Sequence, residues 1–313
     1  MVEEYLSVRI TQSPDTVELD MTRYIEDITH EMFPGGVHGK YEVPMRQELP
    51  DMTRRALAAK DTSYRNTEGG TRYTRIVQVL LYASTMVIAE LAATICILST
   101  CNAYPNDDLL REAERALIYT YHRRHLRLTY HKTGMPVNIS SDFAPTIGPT
   151  IDPHVDGDTD ANLEVDRSIS ASAFYIQAVT GRRSPNGAVS WAAKKQNVTA
   201  LYSTEAEFYA LSLGCCEAVS LRALVGIDLG FPQDQPTVVR CDNSGALSLA
   251  HDAVQHSKAK HIHRRHFHIR DLVAGGIVKL CWVKSSDNRA DCMTKPLPRI
   301  PFQKGRAALL GLA

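Results

Sequence analysis

The chain has 313 residues, enough for two ordinary domains that each bury a core of their own. Hydrophobic residues make up 44% and charged residues 22%, which is typical of a soluble globular protein. Lysine plus arginine and aspartate plus glutamate both number 35, so the chain has no overall positive charge that would indicate a nucleic-acid partner. Evidence for such a partner must come from local basic patches. The longest apolar stretch, residues 86–98, is interrupted by Glu90 and is too short to span a bilayer.

The seven cysteines include no C-x-x-C pair, and Cys215 and Cys216 are adjacent within a helical pattern. An odd number of cysteines without framework spacing indicates reduced thiols, most of them small core residues. The N-terminus has no basic region leading into an apolar run, so no secretory signal is expected. These features together predict an intracellular, cytoplasmic protein with no membrane partner.

The first third of the chain predicts a β-hairpin followed by helices. Residues 5–10 and 17–20 alternate apolar and polar side chains, and Ser13-Pro14-Asp15 between them has turn composition. A helix follows over residues 21–32, and residues 33–71 are expected to be mostly loop. Two further helices are predicted over residues 73–100 and 107–126, the second capped by Asn106.

A domain boundary is predicted at residues 138–153, where three prolines, a glycine and two serines give a linker composition. The boundary separates a mainly helical segment, residues 1–137, from a domain spanning residues 154–313. That domain begins with strands and continues with alternating helices and strands, which predicts an α/β fold with a mixed sheet flanked by helices. Its predicted strands are residues 172–178, 188–194, 237–241 and 277–283, and its predicted helices are residues 204–224, 244–250, 263–273 and 290–297.

Four acidic residues of this domain stand at strand ends or helix starts. Asp156 follows the linker where a first strand would begin, Glu207 opens the long helix, Asp242 follows the apolar run 238–241, and Asp291 opens the last helix. Hydrolysis of a phosphodiester builds negative charge that two divalent cations can stabilise. Magnesium prefers hard oxygen ligands, so such a site needs several carboxylates.

Each acid also has a structural interpretation. Thr204 and Glu207 have the spacing of a capping box, and Asp242 could simply end a strand or cap a helix. Asp156 could belong to a solvated acidic loop, since other aspartates surround it: Asp152, Asp158, Asp160 and Asp166. The ordered set is therefore more informative than any one member.

Several short motifs follow one another over residues 190–297. They are Ser190-Trp191, Lys194-Lys195-Gln196, Ser203-Thr204-Glu205-Ala206-Glu207, Cys241-Asp242-Asn243-Ser244-Gly245-Ala246, His256-Ser257, Lys260-His261-Ile262 and Ala290-Asp291-Cys292-Met293-Thr294-Lys295-Pro296-Leu297. In this order they resemble the ribonuclease H domain of copia-type LTR retrotransposon Pol polyproteins. The resemblance implies a ribonuclease H-like five-stranded sheet.

The same resemblance implies a metal-binding quartet of Asp156, Glu207, Asp242 and Asp291 for two Mg²⁺ ions, with Mn²⁺ as a substitute and no small-molecule cofactor. Asp156 would bridge both ions, Glu207 and Asp242 would ligate one, and Asp291 the other. Glu205 is the alternative to Glu207. The implied reaction is cleavage of the RNA strand of RNA–DNA hybrids, which leaves 3′-hydroxyl and 5′-phosphate ends.

Residues 5–32, 80–82 and 107–130 resemble, more loosely, the stretch after the polymerase palm of the same polyproteins. No Tyr-x-Asp-Asp polymerase signature precedes them, so residues 1–137 are predicted to be the tail of a reverse transcriptase that synthesises no DNA alone. The rest of a reverse transcriptase is the implied protein partner. A virus-like particle or the nucleus are the implied alternatives to a cytoplasmic location.

Departures from the family pattern leave a second hypothesis open. Thr159 stands where the family has a tryptophan, residues 168–172 are an eroded form of its Ser/Thr-Ser-Gly signature, and His263 replaces an aspartate. These changes are typical of a diverged, catalytically inactive relic that only binds nucleic acid or a protein partner. An integrase-like strand transferase is disfavoured, because integrases use two aspartates followed by a glutamate.

A basic stretch over residues 258–270 is the expected nucleic-acid contact, because cations hold the phosphate backbone. The candidate binding residues are Lys194, Lys195, Lys258, Lys260, His261, Arg264 and Arg265, and Arg240 could extend the track. A solvated helix face is the alternative. A zinc site on His263 and His266 is disfavoured, because structural zinc uses four ligands and no cysteine is close in sequence.

Overall fold

The structure, a computed structural model, describes residues 2–131, 154–164, 167–177, 186–251 and 260–312, without the side chains of residues 2, 177 and 260–266. The predicted linker, residues 138–153, lies outside the described residues. The predicted boundary between two domains therefore stays a prediction.

The N-terminal sheet is antiparallel and has the strand order β1-β2-β3-β4. Its strands are β1 (Val2–Tyr5), β2 (Val8–Gln12), β3 (Thr16–Asp20) and β4 (Leu128–His131). The predicted hairpin is β2 and β3, joined by a turn in which Ser13 Oγ accepts a hydrogen bond from the Thr16 N–H at 2.9 Å. Two strands that were not predicted, β1 and β4, extend it on either side.

Five helices lie between β3 and β4 in the described chain: α1 (Thr22–Met32), α2 (Leu49–Ala59), α3 (Glu68–Met86), α4 (Ala92–Ser99) and α5 (Asp107–Arg123). The expected loop over residues 33–71 was wrong where α2 forms, because Leu49, Met52 and Ala56 bury one face of a short helix. The single helix expected over residues 73–100 is interrupted after α3 by a short 3₁₀ turn, Ala89–Leu91. Asn106 caps α5 as predicted, accepting a hydrogen bond from the Leu109 N–H at 2.9 Å.

The second sheet is the mixed five-stranded sheet expected of a ribonuclease H-like fold, and that prediction is confirmed. Its strands are β5 (His154–Asn162), β6 (Ile169–Gln177), β7 (Ser190–Lys195), β8 (Thr237–Cys241) and β9 (Val278–Trp282), in the order β7-β6-β5-β8-β9. The first three pair antiparallel, whereas β8 runs parallel to both β5 and β9.

The long helix α6 (Ser203–Ala223) packs along β5, β6 and β8. Close contact depends on Gly214, because a Cβ there would lie 2.3 Å from Thr159 Cγ2 on β5. The capping box that the spacing of Thr204 and Glu207 allowed is absent. Tyr202 is the N-cap without a side-chain bond, and Glu205 accepts from the Leu201 N–H at 2.8 Å. With its continuation to residue 228 the helix is long and apolar enough to cross a membrane, but a large part of it is buried in this fold.

Three more helices complete the described chain: α7 (Ser244–His251), α8 (Lys260–Ala274) and α9 (Arg299–Leu310). The short helix expected over residues 290–297 is a single 3₁₀ turn, Asp291–Met293. The C-terminal helix α9 was not predicted.

The N-terminal helices and the second sheet share one hydrophobic core. Phe302 of α9 packs edge-on against Tyr119 of α5, with ring centroids 6.0 Å apart. Trp191 of β7 donates from its indole nitrogen to the Ser84 carbonyl of α3 at 2.8 Å. The segments before and after the predicted linker are therefore in direct apolar contact.

Candidate active site

The carboxyl ends of β5 and β8 meet at one edge of the sheet, because the two strands are parallel. Their register places Asp156 beside Val238 and Asp158 beside Arg240. Continuing this register by two residues brings Asp160, near the end of β5, level with Asp242, directly after β8. Asp160 and Asp242 thus reach the same edge from neighbouring strands.

Two further carboxylates come close to this edge from other elements. Glu207 lies in the first turns of α6, and Asp291 lies in the 3₁₀ turn that follows β9. Electrostatic interactions link all four acids: Asp160 interacts with Asp291 and Asp242, and Glu207 interacts with Asp160 and Asp242. Acids from four separate chain segments therefore form one cluster.

The two most buried members of this cluster have raised pKa values. Asp160 is 1% exposed, and burial is the main cause that raises its pKa to about 7, with Asp291 and Asp242 adding to the shift. Glu207 is 7% exposed, and burial followed by the charges of Asp160 and Asp242 raises its pKa to about 9. Both shifts are the expected response of a carboxylate to low dielectric and like charge.

Hydrogen bonds fix the orientation of Asp160. Thr294 donates from its hydroxyl to Asp160 Oδ2 at 2.5 Å, and the Asn288 side-chain amide donates to Oδ1 at 3.3 Å. Asn288 also donates to the Thr159 carbonyl at 2.9 Å. These bonds attach residues 288–294 to the end of β5, so they also hold Asp291 beside Asp160.

Among the described residues, Lys295 brings a positive charge into this acidic cluster. The Lys295 ammonium is 2.5 Å from Asp291 Oδ1, and it lowers the pKa of both Asp160 and Glu207. Burial alone would lower the pKa of Lys295, but the charges of Asp160, Asp291 and Asp242 and the hydrogen bond to Asp291 together raise it above its usual value. Lys295 therefore offsets part of the negative charge of the cluster.

A thiol also belongs to this edge of the sheet. Cys241, the last residue of β8, is fully buried and places Sγ 3.8 Å from Glu207 Oε2. One donor atom from each of Glu207, Cys241 and Asp242 lies within 4.8 Å of the others. The edge thus offers sulfur as well as oxygen donors.

The structure does not bring Asp156, the first acid of the predicted quartet, to this cluster. Asp156 lies four residues before Asp160 on the same strand, and four residues of strand span about 13 Å. Its Oδ2 forms ion pairs with Arg240 Nη1 and, at 3.5 Å, with Arg289 Nη2, and its side chain is only 2% exposed. The other three predicted acids, Glu207, Asp242 and Asp291, do lie in the cluster, while the alternative Glu205 accepts a hydrogen bond from the Leu201 N–H before α6.

Asp158, between these two aspartates, has a structural role of the same kind. Arg289 donates from Nε to Asp158 Oδ2 at 2.7 Å, and its guanidinium carbon lies 3.4 Å from the centroid of the Tyr175 ring. Arg289 directly precedes Ala290 and Asp291, so the ion pairs of Asp156 and Asp158 hold the Asp291 segment on the sheet. Buried ion pairs of this kind are costly to break, since the remaining partner keeps an uncompensated charge.

The sequence did contain a signal for Asp160. Asp156, Asp158 and Asp160 alternate along β5, so all three lie on one face of the strand. Asp242 follows the end of its strand, and parallel strands meet at their carboxyl ends. An acid near the end of β5 is therefore expected to lie closer to Asp242 than an acid near the start of β5.

The predicted nucleic-acid contacts are only partly described. Lys194 is exposed on the edge strand β7, whereas Lys195 points to the other face and lines a cavity of about 300 Å³ together with Arg54 and Arg167. The side chains of the remaining candidates lie outside the described residues: Lys258, Lys260, His261, Arg264 and Arg265. Arg240, which could extend the track, forms an ion pair with the buried Asp156.

Comparison with known proteins identifies relatives for part of the chain. A stretch of 115 residues, 37% of this chain, is 37% identical to the Pol polyprotein of transposon RE2 from Arabidopsis thaliana. A stretch of 117 residues is 35% identical to the Pol polyprotein of transposon TNT 1-94 from Nicotiana tabacum. This stretch is homologous to retrotransposon Pol polyproteins. The resemblance expected from the motifs is confirmed, although the chain spans only 8% and 9% of these two polyproteins.

No family model matches the chain. Similar solved structures include LC11 ribonuclease H1 in complex with an RNA/DNA hybrid, with 14% identity and a TM-score of 0.33 over 45% of this chain and 93% of that one. Ribonuclease H1 from Halobacterium salinarum has 17% identity and a TM-score of 0.32 over 45% of this chain and 94% of that one. The protease–reverse transcriptase of prototype foamy virus has a TM-score of 0.30, with 13% identity over 53% of this chain and 21% of that one.

Proposed function

We propose that this chain is part of a retrotransposon Pol polyprotein and hydrolyses the RNA strand of RNA–DNA hybrids at a two-metal site. The site comprises Asp160, Glu207, Asp242 and Asp291, with Asp160 in the position that the motif comparison gives to Asp156. The observation that carries the proposal is the cluster of four acids from separate segments at the carboxyl ends of two parallel strands.

The donor set fits divalent cations. Carboxylate oxygens are the ligands that Mg²⁺ prefers, and the buried acids Asp160 and Glu207 carry an electrostatic cost that a cation would relieve. Bound to these acids, two Mg²⁺ ions, or Mn²⁺ in their place, would activate a water molecule and stabilise the charge that develops on the phosphate.

The surrounding residues position these acids for that role. Thr294 and Asn288 fix Asp160, and Lys295 pairs with Asp291. Asp242 is only half-buried, so the site is open to solvent on its side and a phosphodiester can approach from there. The protein thus holds the acids in place at the sheet edge and leaves the site accessible to substrate on the side of Asp242.

The proposed substrate is an RNA–DNA hybrid, held in part by exposed basic residues. Lys194 on β7 is the described candidate for a phosphate contact, because an exposed cation can neutralise a backbone phosphate. We also propose that residues 1–137 are the tail of a reverse transcriptase, with the missing polymerase portion as the protein partner. Their apolar contact with the second sheet is consistent with one continuous nuclease unit.

The test is cleavage of a hybrid labelled on its RNA strand, with and without Mg²⁺. The wild-type protein should cut only with the metal, and Asp242→Asn should abolish cutting while hybrid binding in EDTA is retained. Asp271→Asn, an exposed acid on α8, is the matched control and should cut normally. Absence of Mg²⁺-dependent cleavage, together with no rise in melting temperature on adding Mg²⁺, would instead support the inactive relic.

A further inference from the structure

The candidate metal site contains a sulfur donor that magnesium chemistry does not use. Mg²⁺ takes hard oxygen ligands, whereas thiolate ligands select softer ions such as Zn²⁺. Cys241 is fully buried at the end of β8, and its sulfur faces the carboxylate of Glu207. The site therefore offers two different ligand sets within the same small volume.

The spacing of the donors suits one tetrahedral ion. Zn–S and Zn–O bonds of the usual lengths place two ligands of the same Zn²⁺ about 3.6 Å apart. Cys241 Sγ and Glu207 Oε2 are 3.8 Å apart, and Asp242 contributes an oxygen within 4.8 Å of both. Side-chain movements of a few tenths of an ångström for the first pair, and somewhat more for Asp242, would bring all three onto one ion.

We propose that Glu207, Cys241 and Asp242 form a Zn²⁺ site with one open position for water. Ligation replaces the S–H bond of Cys241 with an S–Zn bond and releases the proton to solvent, with no change in oxidation state. The half-buried Asp242 provides the route by which the ion enters from solvent.

Occupation by zinc would inhibit the proposed nuclease, and this consequence alone rests on the proposed function. Glu207 and Asp242 belong to both ligand sets, so Zn²⁺ on Cys241 removes them from the arrangement that Mg²⁺ requires. Zinc is thus an inhibitory ligand of the site, and zinc chelation restores activity.

The test uses the full chain, freed of metal by dialysis. Zn²⁺ affinity is measured by competition with a chromophoric chelator, and melting temperature is measured with Zn²⁺ and, separately, with Mg²⁺. Cys241→Ser should weaken Zn²⁺ binding by at least about tenfold, while the Mg²⁺-induced rise in melting temperature stays unchanged. Cys281→Ser, in the adjacent strand β9, is the matched control and should bind Zn²⁺ as the wild type does.

A thiol–imidazole pair on the protein surface is tested in parallel. Cys216 Sγ lies 3.7 Å from His268 Nε2, so these two residues are a rival pair of zinc ligands. Cys216→Ser removes the thiol of that pair. Unchanged Zn²⁺ affinity in Cys241→Ser, or loss of that affinity in Cys216→Ser alone, would overturn the proposal.

Cobalt substitution gives an independent measurement on the wild-type protein. Bound Co²⁺ should show a thiolate-to-metal charge-transfer band, and absence of the band would also contradict the assignment. Because these measurements need no substrate, failure of the zinc site and failure of hybrid cleavage are distinguishable.

Discussion

Substituting each of two aspartates of β5 by asparagine separates their roles. Asp156 has two arginine partners and is 2% exposed, whereas Asp160 lies among other acids and is 1% exposed. The same loss of one charge should therefore act on stability at one position and on catalysis at the other.

The magnitude follows from the partners that each residue has. Removing one partner from a buried ion pair costs about 3–5 kcal/mol, because the other charge stays buried. Unfolding entropy is about 2.1 cal/mol/K per residue, so in a chain of 313 residues each kcal/mol lowers the melting temperature by about 1.5 °C. Asp156→Asn should therefore lower it by about 5–8 °C. Asp160→Asn keeps an acceptor for Thr294 and removes a charge from an acidic cluster, so the metal-free protein should melt at the same or a higher temperature.

The assay combines thermal melting in EDTA with hybrid cleavage in Mg²⁺, performed well below the melting temperature of each variant. Asp160→Asn should lose cleavage and melt at the same or a higher temperature, whereas Asp156→Asn should cleave but melt at a lower temperature. The opposite pattern, with Asp156→Asn stable but inactive and Asp160→Asn active, would refute the assignment of Asp160. That pattern would instead support the quartet with Asp156 that the motif comparison implied.

Four further outcomes are expected. The pKa of Glu207 is raised to about 9, so between about pH 4 and pH 9 the folded state binds more protons at this group than the unfolded state. Its contribution to metal-free stability is therefore complete below about pH 4 and falls as pH rises towards 9, and melting curves of Glu207→Gln should lack this part of the decline. Lys295→Met should lower the melting temperature in EDTA and enlarge the rise on adding Mg²⁺, and an equal rise in both proteins would contradict a charge-balancing role for Lys295. Gly214→Ala should cost about 1–3 kcal/mol through overpacking against Thr159 Cγ2, as measured by urea unfolding, and the double variant with Thr159→Ser should recover part of it. Phe302→Ala should cost about 3–5 kcal/mol in a single unfolding transition, and two separate transitions would show that the segments before and after residues 138–153 unfold independently.

Short motifs predicted three members of the acidic cluster because each lies at a boundary between elements. Glu207 opens a helix, Asp242 follows an apolar strand, and Asp291 begins a turn, and boundaries of this kind converge at one edge of an α/β sheet. Asp160 could not be selected in the same way, since three aspartates alternate along one strand. Strand direction favours the last of the three, and the register between β5 and β8, a long-range property, places Asp160 level with Asp242.

Local sequence signals are also insufficient for elements whose stability comes from tertiary packing. Helix α2 follows a stretch rich in glycine and proline, yet it forms because Leu49, Met52 and Ala56 meet a core built by distant helices. Thr204 and Glu207 have capping-box spacing, but Glu207 faces the acidic cluster and Glu205 bonds to the Leu201 N–H instead. Sequence spacing allowed both arrangements, and the position of α6 on the sheet selected one.

Charge balance distinguishes the two acidic groups of this sheet. Asp156 and Asp158 are paired with Arg240 and Arg289, so two negative charges meet two positive ones. The cluster at the sheet edge is different: among the described residues, four acids that share electrostatic interactions have one lysine as a close cation. Four ionised carboxylates and one ammonium carry a net charge of up to −3. Asp160 and Glu207, whose pKa values are raised, lower this charge only when they take up protons. The paired aspartates hold the Asp291 segment on the sheet, whereas the cluster that stays negative is the one whose charge the proposed metal ions would neutralise.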